Sequence, residues 1–220
     1  MHQTVQNLLN INTQIKAKIN ELKYNNYKAE IIAISKTFSI SHILPLIDYG
    51  HIHFGENKVQ EAIEKWMEIK TNNKNIKLHM VGKLQTNKVK IALKVFDFIH
   101  SLDNLKLAKK ISEEQKTYEI KPKIFIQINI GGESQKSGIS VENLLNFFHE
   151  CKKLDLNIIG TMCLPPIDKD PEIFFSHMLK INNDLKLKDL SMGMSEDYLK
   201  AIEYYSTYLR VGSKIFGPRS

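Results

Sequence analysis

The chain has 220 residues, 42% of them hydrophobic and 25% charged, which is enough apolar sequence for one sizeable core and excludes a disordered or fibrous protein. Its net charge of +7 is spread along helical stretches, without an arginine cluster or a basic run interleaved with aromatic residues. Nucleic-acid binding is therefore not expected as a primary role. The positive excess favours a small phosphorylated ligand instead.

The cysteines and the N-terminal segment bear on the compartment. Cys151 and Cys163 occur without a CxxC or His-rich spacing, so the sequence indicates neither a disulfide framework nor a metal site, and we interpret both as buried thiols. The N-terminal segment has no apolar run of signal-peptide length, and no stretch approaches the roughly 18 apolar residues of a membrane span. We expect a cytoplasmic protein that does not associate with membranes.

Secondary structure is predicted to alternate along the whole chain. Apolar residues at three- and four-residue steps predict an opening amphipathic helix within residues 1–25. Short apolar runs then predict eight strands, at 31–34, 51–55, 77–82, 96–102, 123–130, 157–164, 189–192 and 208–216. Stretches with helical spacing lie between them, at 41–49, 59–70, 87–95, 105–118, 141–154, 172–185 and 197–205.

This alternation predicts an α/β fold with a parallel sheet. Eight units in 220 residues favour a single (β/α)8 barrel domain over residues 1–220, with no second β domain. The opening helix is expected to pack on the barrel where strands eight and one meet. An open doubly wound sheet is the alternative, but no GxGxxG follows the first strand, so the sequence does not support a dinucleotide site.

Lys36 is the first candidate for chemistry. In barrels of this kind, the loops after the C-terminal ends of the strands build the active face. Lys36 closes the first predicted strand, where burial favours the free amine that forms a Schiff base with an aldehyde or ketone. For an isolated lysine, the ordinary alternative is a side chain that reaches from the strand end into water.

Two turns of small residues follow the last two strands. Gly193, Met194 and Ser195 form the first turn, and Gly212 and Ser213 form the second. Their backbone N–H groups and hydroxyls suit a phosphate group, which barrels often bind after strands seven and eight. The alternative is that Ser195 simply caps the helix that follows it.

Other polar residues have two interpretations each. Arg210 lies inside an apolar strand run, so its charge needs an acceptor, either a neighbouring carboxylate or a ligand atom. Asn57 and Asn129 either orient a ligand or satisfy loop backbone, and the second is favoured for each taken singly. Trp66 is interpreted as core and Lys136 as solvated.

Seven segments of the sequence resemble one known family in the family's own order. They are AISKTFS, HFGENKVQEA, HMVGKLQTNKVK, HSLD, QINIGGESQKSGI, LSMGMSEDYLKAI and RVGSKIFGPR. Together they resemble the pyridoxal phosphate homeostasis proteins, the YggS/PROSC family. The resemblance extends from about residue 31 to the C-terminus and is looser in the opening helix.

The resemblance implies a barrel similar to that of bacterial alanine racemase and eukaryotic ornithine decarboxylase, with pyridoxal 5′-phosphate (PLP) as cofactor. It implies that Lys36 carries the Schiff base and that Arg210 faces the pyridine nitrogen, where a permanent cation disfavours protonation of the ring. It places the phosphate on Ser191 and on the two turns. The predicted cofactor-binding residues are Lys36, Asn57, Ser191, Gly193, Met194, Ser195, Arg210, Gly212 and Ser213.

Three positions depart from the family pattern. Ser213 stands where the family generally has Thr, which keeps the hydroxyl. Tyr205 stands where the family usually has Gly, so the end of that helix is expected to differ. Gly131 and Gly132 make the loop before Glu133 unusual, which leaves the part of this loop in binding open.

Three functions remain open at this point. The first is a protein that holds PLP on Lys36 without robust catalysis. Its expected partners are PLP and, transiently, PLP-dependent apo-enzymes, and the resemblance implies a monomer. The sequence favours this first function, because no second β domain and no acid/base opposite Lys36 are evident. The second is a minimal amino-acid racemase or a Schiff-base aldolase that uses Asp103, Glu56 or Tyr198. The third is a module whose real partner is a protein or nucleic acid.

Overall fold

The computed structural model describes residues 1–218, which form a closed barrel of eight parallel strands. The strands are β1 (Glu30–Ile34), β2 (His53–Glu56), β3 (Lys77–Met80), β4 (Phe98–Leu102), β5 (Lys123–Ile128), β6 (Ile158–Cys163), β7 (Asp189–Met194) and β8 (Tyr208–Val211). β1 pairs with β8 in parallel, with Ile32 opposite Arg210, and this pairing closes the sheet. The predicted (β/α)8 barrel is confirmed, and the open sheet is excluded.

Helices cover the outside of the barrel between successive strands. They are α1 (Gln3–Glu21), α2 (Ile40–Asp48), α3 (Val59–Asn72), α4 (Val89–Val95), α5 (Leu105–Tyr118), α6 (Val141–Lys153), α7 (Pro171–Asp184), α8 (Tyr198–Glu203) and α9 (Ser213–Phe216), with a 3-10 turn at Thr86–Lys88. Within residues 1–218, none of these helices combines the length and the apolar character needed to cross a membrane.

The last predicted strand was too long at its C-terminal end. The apolar run 208–216 is one strand only as far as Val211, and Ser213–Phe216 form α9. Gly212 separates the two elements, and Ile215 is fully buried as a helical residue. Periodicity did not resolve this boundary, because a short buried run fits a strand and a helical turn equally well.

The opening helix covers the seam of the barrel. α1 packs against α2, α8 and α9, which flank the junction of β8 and β1. Its apolar stripe of Val5, Leu8, Ile11 and Ile15 is buried. Asn7 Nδ2 also donates to the Ile215 carbonyl at 2.9 Å, which joins the first and last helices of the described chain.

Two shells of side chains form the core. The outer shell lies between the strands and the helices and contains most of the buried apolar residues. The inner shell lies within the barrel and consists of Ile32, Ile34, Phe98, Phe125, Met162 and Tyr208. Polar side chains from β3, β4, β7 and β8 are buried as well, among them His79, His100, Ser191 and Arg210. A filled interior directs ligand binding to the ends of the strands.

Candidate functional site

Lys36 and the turn after β8 lie side by side at the upper rim, where the C-terminal ends of the strands meet. Lys36 is partly buried and follows Ser35 directly after β1. A Cβ atom added to Gly212 would lie 3.3 Å from Cβ of Ile34, so the Gly212 backbone passes close to the end of β1. The backbone that leads to Lys36 and one of the two predicted phosphate turns therefore lie close together at this rim.

A buried carboxylate holds the residue before Lys36. Glu56 is fully buried at the end of β2. Its Oε1 accepts hydrogen bonds from Ser35 Oγ at 2.7 Å, Trp66 Nε1 at 2.9 Å and Lys65 Nζ at 3.0 Å. Lys65 Nζ also donates to the Ser35 carbonyl at 2.9 Å. Trp66 is fully buried, which confirms it as a core residue and gives its indole N–H a structural partner.

A second carboxylate holds the residue after Lys36. The Thr37 N–H donates to Glu61 Oε1 at 2.7 Å, and Lys65 pairs with the same oxygen at 3.1 Å. Burial acts to raise the pKa of Glu61, but the hydrogen bonds from Thr37 and Lys65 outweigh it and hold that pKa below its usual value. Glu56, Glu61 and Lys65, which we call the Lys36 clamp, thus fix the backbone on both sides of the lysine.

The two predicted phosphate turns are joined by one hydroxyl. Ser195 Oγ accepts from the Gly212 N–H at 3.3 Å and from the Lys214 N–H at 3.5 Å. Ser195 is almost completely buried, whereas Ser213 is exposed. Because α8 begins at Tyr198 and its N-cap residue is Asp197, Ser195 does not cap this helix, and the capping interpretation is wrong.

The first turn requires glycine at its centre. Gly193 has a φ of +87°, and a Cβ atom there would lie 2.6 Å from Cβ of Ala201 on α8. The Met194 N–H donates to Asp197 Oδ1 at 2.6 Å, which holds the end of β7 against the start of the helix. The acidic side chain after the turn therefore has a structural contact of its own.

Arg210 has neutral partners. It is 5% exposed, and its Nη1 donates to Ser191 Oγ at 2.6 Å while Nη2 donates to the Cys163 carbonyl at 2.8 Å. Burial lowers the pKa of the guanidinium from its usual value. Both recorded hydrogen-bond acceptors of Arg210 within residues 1–218 are uncharged, so the interpretation as a partner of a neighbouring carboxylate is not supported.

The Ser191 hydroxyl contacts two side chains inside the barrel. It is fully buried in the barrel and lies 2.9 Å from His100 Nδ1 as well as 2.6 Å from Arg210 Nη1. The Ser191 hydroxyl therefore supports Arg210, and its predicted contact with the phosphate stays a prediction. The sequence did not show this, because Ser191 belongs to the same LSMGMS segment as the turn.

The two asparagines behave differently. Asn57 Oδ1 is buried and has no hydrogen-bond partner among residues 1–218. Gly82 approaches it closely, since a Cβ atom at Gly82 would lie 2.4 Å from the Asn57 carbonyl oxygen. Asn129 instead donates to the Glu133 carbonyl at 2.8 Å and accepts from the Glu133 N–H at 3.1 Å, which confirms its loop role. Of the two asparagines, Asn57 is therefore the one with a buried polar atom that has no partner within residues 1–218.

Comparisons with known proteins agree with this geometry. A family model described as "Alanine racemase, N-terminal domain" matches residues 12–220. A pyridoxal phosphate homeostasis protein of Haemophilus influenzae is 36% identical over 225 residues, covering 97% of this chain and 95% of the relative. The chain belongs to the pyridoxal phosphate homeostasis protein family.

Solved structures extend the comparison. PipY of Synechococcus elongatus, in a structure with PLP bound, is 30% identical with a TM-score of 0.81 and covers 92% of this chain and 100% of that one. An alanine racemase of Clostridium difficile has a TM-score of 0.74 at 15% identity, which is a likeness of fold alone. This family member matches 56% of that racemase chain.

Of the three residues predicted as acid/base groups for catalysis, two make structural hydrogen bonds. Glu56 accepts three hydrogen bonds in the Lys36 clamp. The Tyr198 hydroxyl donates to Gln14 of α1, and burial raises the pKa of Tyr198. Asp103 remains partly exposed and accepts from its neighbour Asn104 at 2.6 Å. Two of the three predicted groups are thus committed to packing.

Tyr205, which departs from the family pattern, makes ring contacts that stabilise its backbone conformation. Tyr205 adopts a left-handed φ of +58°, which a glycine would adopt without strain. Its ring stacks on Tyr24 with 4.2 Å between centroids and meets Tyr27 edge-on at 5.6 Å. These ring contacts, each worth about 0.5–1.5 kcal/mol, offset the cost of that backbone conformation.

The loop after β5 is more ordered than its glycines suggest. A Cβ atom at Gly131 would lie 2.7 Å from Cγ of Pro166, so this glycine permits close packing. Lys136 pairs with Glu133 at 2.5 Å and donates to the Pro165 carbonyl at 3.2 Å. The expectation that Lys136 is solvated was therefore wrong.

Two groups of supporting residues were not predicted from the sequence. Lys65 and Glu61 are four residues apart on α3. This spacing is common on exposed helices, so it did not indicate a contact with the segment around Lys36. His79 and His100 each stand third in an apolar strand run, as Arg210 does. Arg210 was identified because it is a polar residue inside a buried strand. The same criterion also identifies His79 and His100.

Proposed function

We propose that this protein binds PLP at the upper rim, holds it as a Schiff base on Lys36, and serves intracellular PLP homeostasis without robust catalysis. The observation that carries the proposal is the arrangement of Lys36 and Arg210 at the upper ends of the neighbouring strands β1 and β8. The similarity to the PLP-bound structure of PipY supports it.

The residues present fit this cofactor. Asn57 Oδ1 is a buried polar atom without a partner among residues 1–218, and it lies at the rim after β2. Gly193 and Gly212 leave room where side chains would approach Ala201 and Ile34. Arg210 has two uncharged acceptors, so its charge is available to a ligand. Together these groups supply an amine, a hydrogen-bonding rim and a cation.

Each residue has a defined part in the proposal. Lys36 supplies the amine, and its clamp fixes the backbone from which the amine extends. Gly193, Met194, Ser195, Gly212 and Ser213 hold the phosphate, and Asn57 orients the ring. Arg210 faces the pyridine nitrogen and disfavours its protonation. When bound, PLP supplies an aldehyde carbon and an electron-withdrawing ring, which Arg210 makes a weaker electron sink.

The absence of robust turnover is part of the proposal. A racemase or an aldolase needs a group that moves a proton opposite Lys36. Glu56 and Tyr198 are held by structural hydrogen bonds, which leaves Asp103 as the remaining candidate. A minimal racemase or Schiff-base aldolase is the alternative function, and Asp103 is the residue that would serve it.

Partners and compartment follow from the same role. We propose PLP-dependent apo-enzymes as transient partners, a monomeric state, and a cytoplasmic location. Cys151 and Cys163 are both free and buried, which suits a reducing compartment. Burial raises the pKa of each thiol to about 12, so neither is a reactive thiolate near neutral pH.

Borohydride reduction tests the attachment point. We expect a yellow purified protein that bleaches on reduction and carries a pyridoxyl group on Lys36 in peptide mass spectrometry. Lys36→Ala should take up no covalent PLP, whereas Lys83→Ala, an exposed lysine after β3, should behave as the wild type. A pyridoxyl group on another lysine, or no uptake of added PLP, would refute the assignment.

Turnover assays separate a carrier from an enzyme. Purified protein loaded with PLP is incubated with single enantiomers of amino acids, and separately with phosphorylated ketoses. We expect no Lys36-dependent racemisation or aldol cleavage above the rate of free PLP. Robust turnover that disappears in both Lys36→Ala and Asp103→Asn would establish the catalytic alternative.

A further inference from the structure

A row of histidines crosses the interior of the barrel and ends at the serine that contacts Arg210. His53 Nδ1 lies 2.9 Å from His79 Nε2, and His79 Nδ1 lies 2.9 Å from His100 Nε2. His100 Nδ1 lies 2.9 Å from Ser191 Oγ, which accepts from Arg210 Nη1 at 2.6 Å. We call His53, His79 and His100 the histidine row. Together with Ser191 and Arg210, the histidine row forms four consecutive hydrogen bonds.

The row is built into the core. His79 and His100 are fully buried, and their rings stack on Phe98 at 4.1 Å and on Phe125 at 4.3 Å between centroids. Burial lowers the pKa of both imidazoles well below the usual value, so both are neutral near pH 7. A neutral imidazole has one donor nitrogen and one acceptor nitrogen, and the geometry decides which is which.

Arg210 determines the direction of the row. A guanidinium only donates, so Ser191 Oγ accepts from Arg210 and has its own proton to give. Among residues 1–218, His100 Nδ1 is the remaining partner of that hydroxyl and must accept its proton. His100 therefore carries its proton on Nε2 and donates it to His79 Nδ1, and His79 donates from Nε2 to His53 Nδ1 in the same way.

We propose that His79 and His100 are positioning residues that act through Ser191 to hold the Arg210 guanidinium in place for the cofactor. The proposal rests on the proposed function, because Arg210 faces the pyridine nitrogen only if PLP binds as described. Among residues 1–218, the other hydrogen bond of Arg210 goes to the Cys163 carbonyl, so Ser191 is the side chain that accepts from its other arm.

The neutrality of these partners matters for binding. A carboxylate beside Arg210 would neutralise its charge and compete with a ligand for its N–H groups. A serine hydroxyl takes one hydrogen bond and leaves the positive charge intact. Because each imidazole donates to the next, the line polarises the Ser191 oxygen and makes it a stronger acceptor than an isolated hydroxyl.

Nitrogen NMR of the cofactor-free protein tests the row without any ligand. With 15N-labelled histidine, we expect His53, His79 and His100 each to be neutral, protonated on Nε2 and unprotonated on Nδ1. Single substitutions assign the signals. A His100 protonated on Nδ1 would make Ser191 an acceptor from both neighbours, and it would overturn the proposed direction of the row.

Matched serine substitutions test the link to the cofactor. Ser191→Ala removes the acceptor of Arg210 Nη1, whereas Ser206→Ala removes an equally buried hydroxyl that bonds only to backbone groups of β7 and β8. We expect PLP to bind about tenfold more weakly to Ser191→Ala, with an altered visible absorption band. Ser206→Ala should bind PLP within about twofold of the wild type with an unchanged band.

Substitutions at His100 distinguish positioning from packing. His100→Asn keeps an acceptor near the Nδ1 position for Ser191, whereas His100→Leu removes it. We expect His100→Asn to retain PLP affinity within about threefold and to keep the absorption band, and His100→Leu to resemble Ser191→Ala. Should His100→Leu fail to fold, the serine pair and the NMR tautomers still decide the question.

The outcomes separate the two proposals. If Ser191→Ala binds PLP with wild-type affinity and spectrum, the positioning role is refuted while the PLP function stands. If the wild-type protein takes up no PLP on Lys36, the proposed function fails and the positioning role toward the cofactor fails with it. In that second case the NMR result still reports whether the tautomer order exists, so the two failures are distinguishable.

Discussion

Lys36 and Arg210 are the two cationic residues proposed to contact the cofactor, and the fold supports them in opposite ways. Lys36 is flanked by a clamp of three charged side chains, Glu56, Glu61 and Lys65, which hold the backbone on each side of it. Arg210 is held at its guanidinium by uncharged groups, Ser191 and the Cys163 carbonyl.

The difference matches the chemistry that each residue is proposed to perform. An amine that forms a Schiff base must change its bonding, and the clamp acts on Ser35 and Thr37, the residues on either side of it. The positive charge and the N–H donors of a guanidinium remain available to a ligand only if the groups that hold it carry no negative charge. Charged groups are therefore placed behind the lysine, and neutral groups behind the arginine.

Replacement of Glu56 should disrupt the Lys36 clamp. In Glu56→Gln, the Lys65 ammonium loses its buried partner, and Ser35 and Trp66 lose a charged acceptor. With only 10% of the Lys65 side chain exposed, we expect a loss of about 4 kcal/mol in the free energy of unfolding, measured by urea denaturation. Glu61→Gln, whose carboxylate is 26% exposed, is the control and should cost about 1 kcal/mol. Equal losses would contradict the dominance of Glu56.

Acid should destabilise the buried histidines and the Lys36 clamp in different pH ranges. Burial lowers the pKa of His51 to about 4, and it also lowers the pKa of His53, His79 and His100. The unfolded state then binds more protons than the native state, so stability is complete above pH 6.5 and falls as the pH drops toward 4. For His51 alone, the loss is about 3 kcal/mol.

The clamp should respond at lower pH. The pKa of Glu61 lies below its usual value of 4.5, so its contribution is complete above that value and is lost as the pH falls through the lowered pKa. Urea unfolding at a series of pH values checks both pH ranges, the one of the buried histidines and the one of Glu61. His51→Gln should flatten the change between pH 6.5 and 4, and an unchanged slope would show that His51 does not contribute to it.

The barrel itself was predictable because its signal is repeated along the chain. Eight apolar runs separated by helical spacing leave few topologies, and an error at one boundary does not change the result. The run 208–216 shows the limit of this signal. Val211 ends β8 just before Gly212, whereas Ile215, three residues after that glycine, is buried in α9, and both residues are apolar.

The candidate site was predictable only where a residue stands out within its own segment. Lys36 closes a strand and Arg210 interrupts one, so local sequence identified both. Ser191 and His100 are 91 residues apart, and their contact depends on which side chains of β4 and β7 point into the barrel. Strand phase within a continuously apolar run is not visible in sequence, so the supports of Arg210 required the structure.

The indole of Trp66 offers a milder change to the clamp. Trp66→Phe keeps an aromatic ring against Phe54, 4.8 Å away between centroids, and removes the N–H donor to Glu56. We expect a loss of about 2 kcal/mol in the free energy of unfolding, because the lost hydrogen bond goes to a charged group. Combined with Glu56→Gln, the two losses should be less than additive, and full additivity would show that Trp66 stabilises through packing alone.

The smallest expected effect concerns the backbone beside Lys36. Thr37 has a φ of +69°, a left-handed conformation that a β-branched residue rarely adopts, and its N–H is held by Glu61 at 2.7 Å. Thr37→Gly and Thr37→Ala both remove the branched side chain, but only glycine adopts this φ without strain. We expect the glycine variant to be more stable than the alanine variant by about 1 kcal/mol in urea unfolding. If alanine is equally stable, the turn has relaxed to a negative φ, and Lys36 is then held by Ser35 and Glu56 without help from the contact to Glu61.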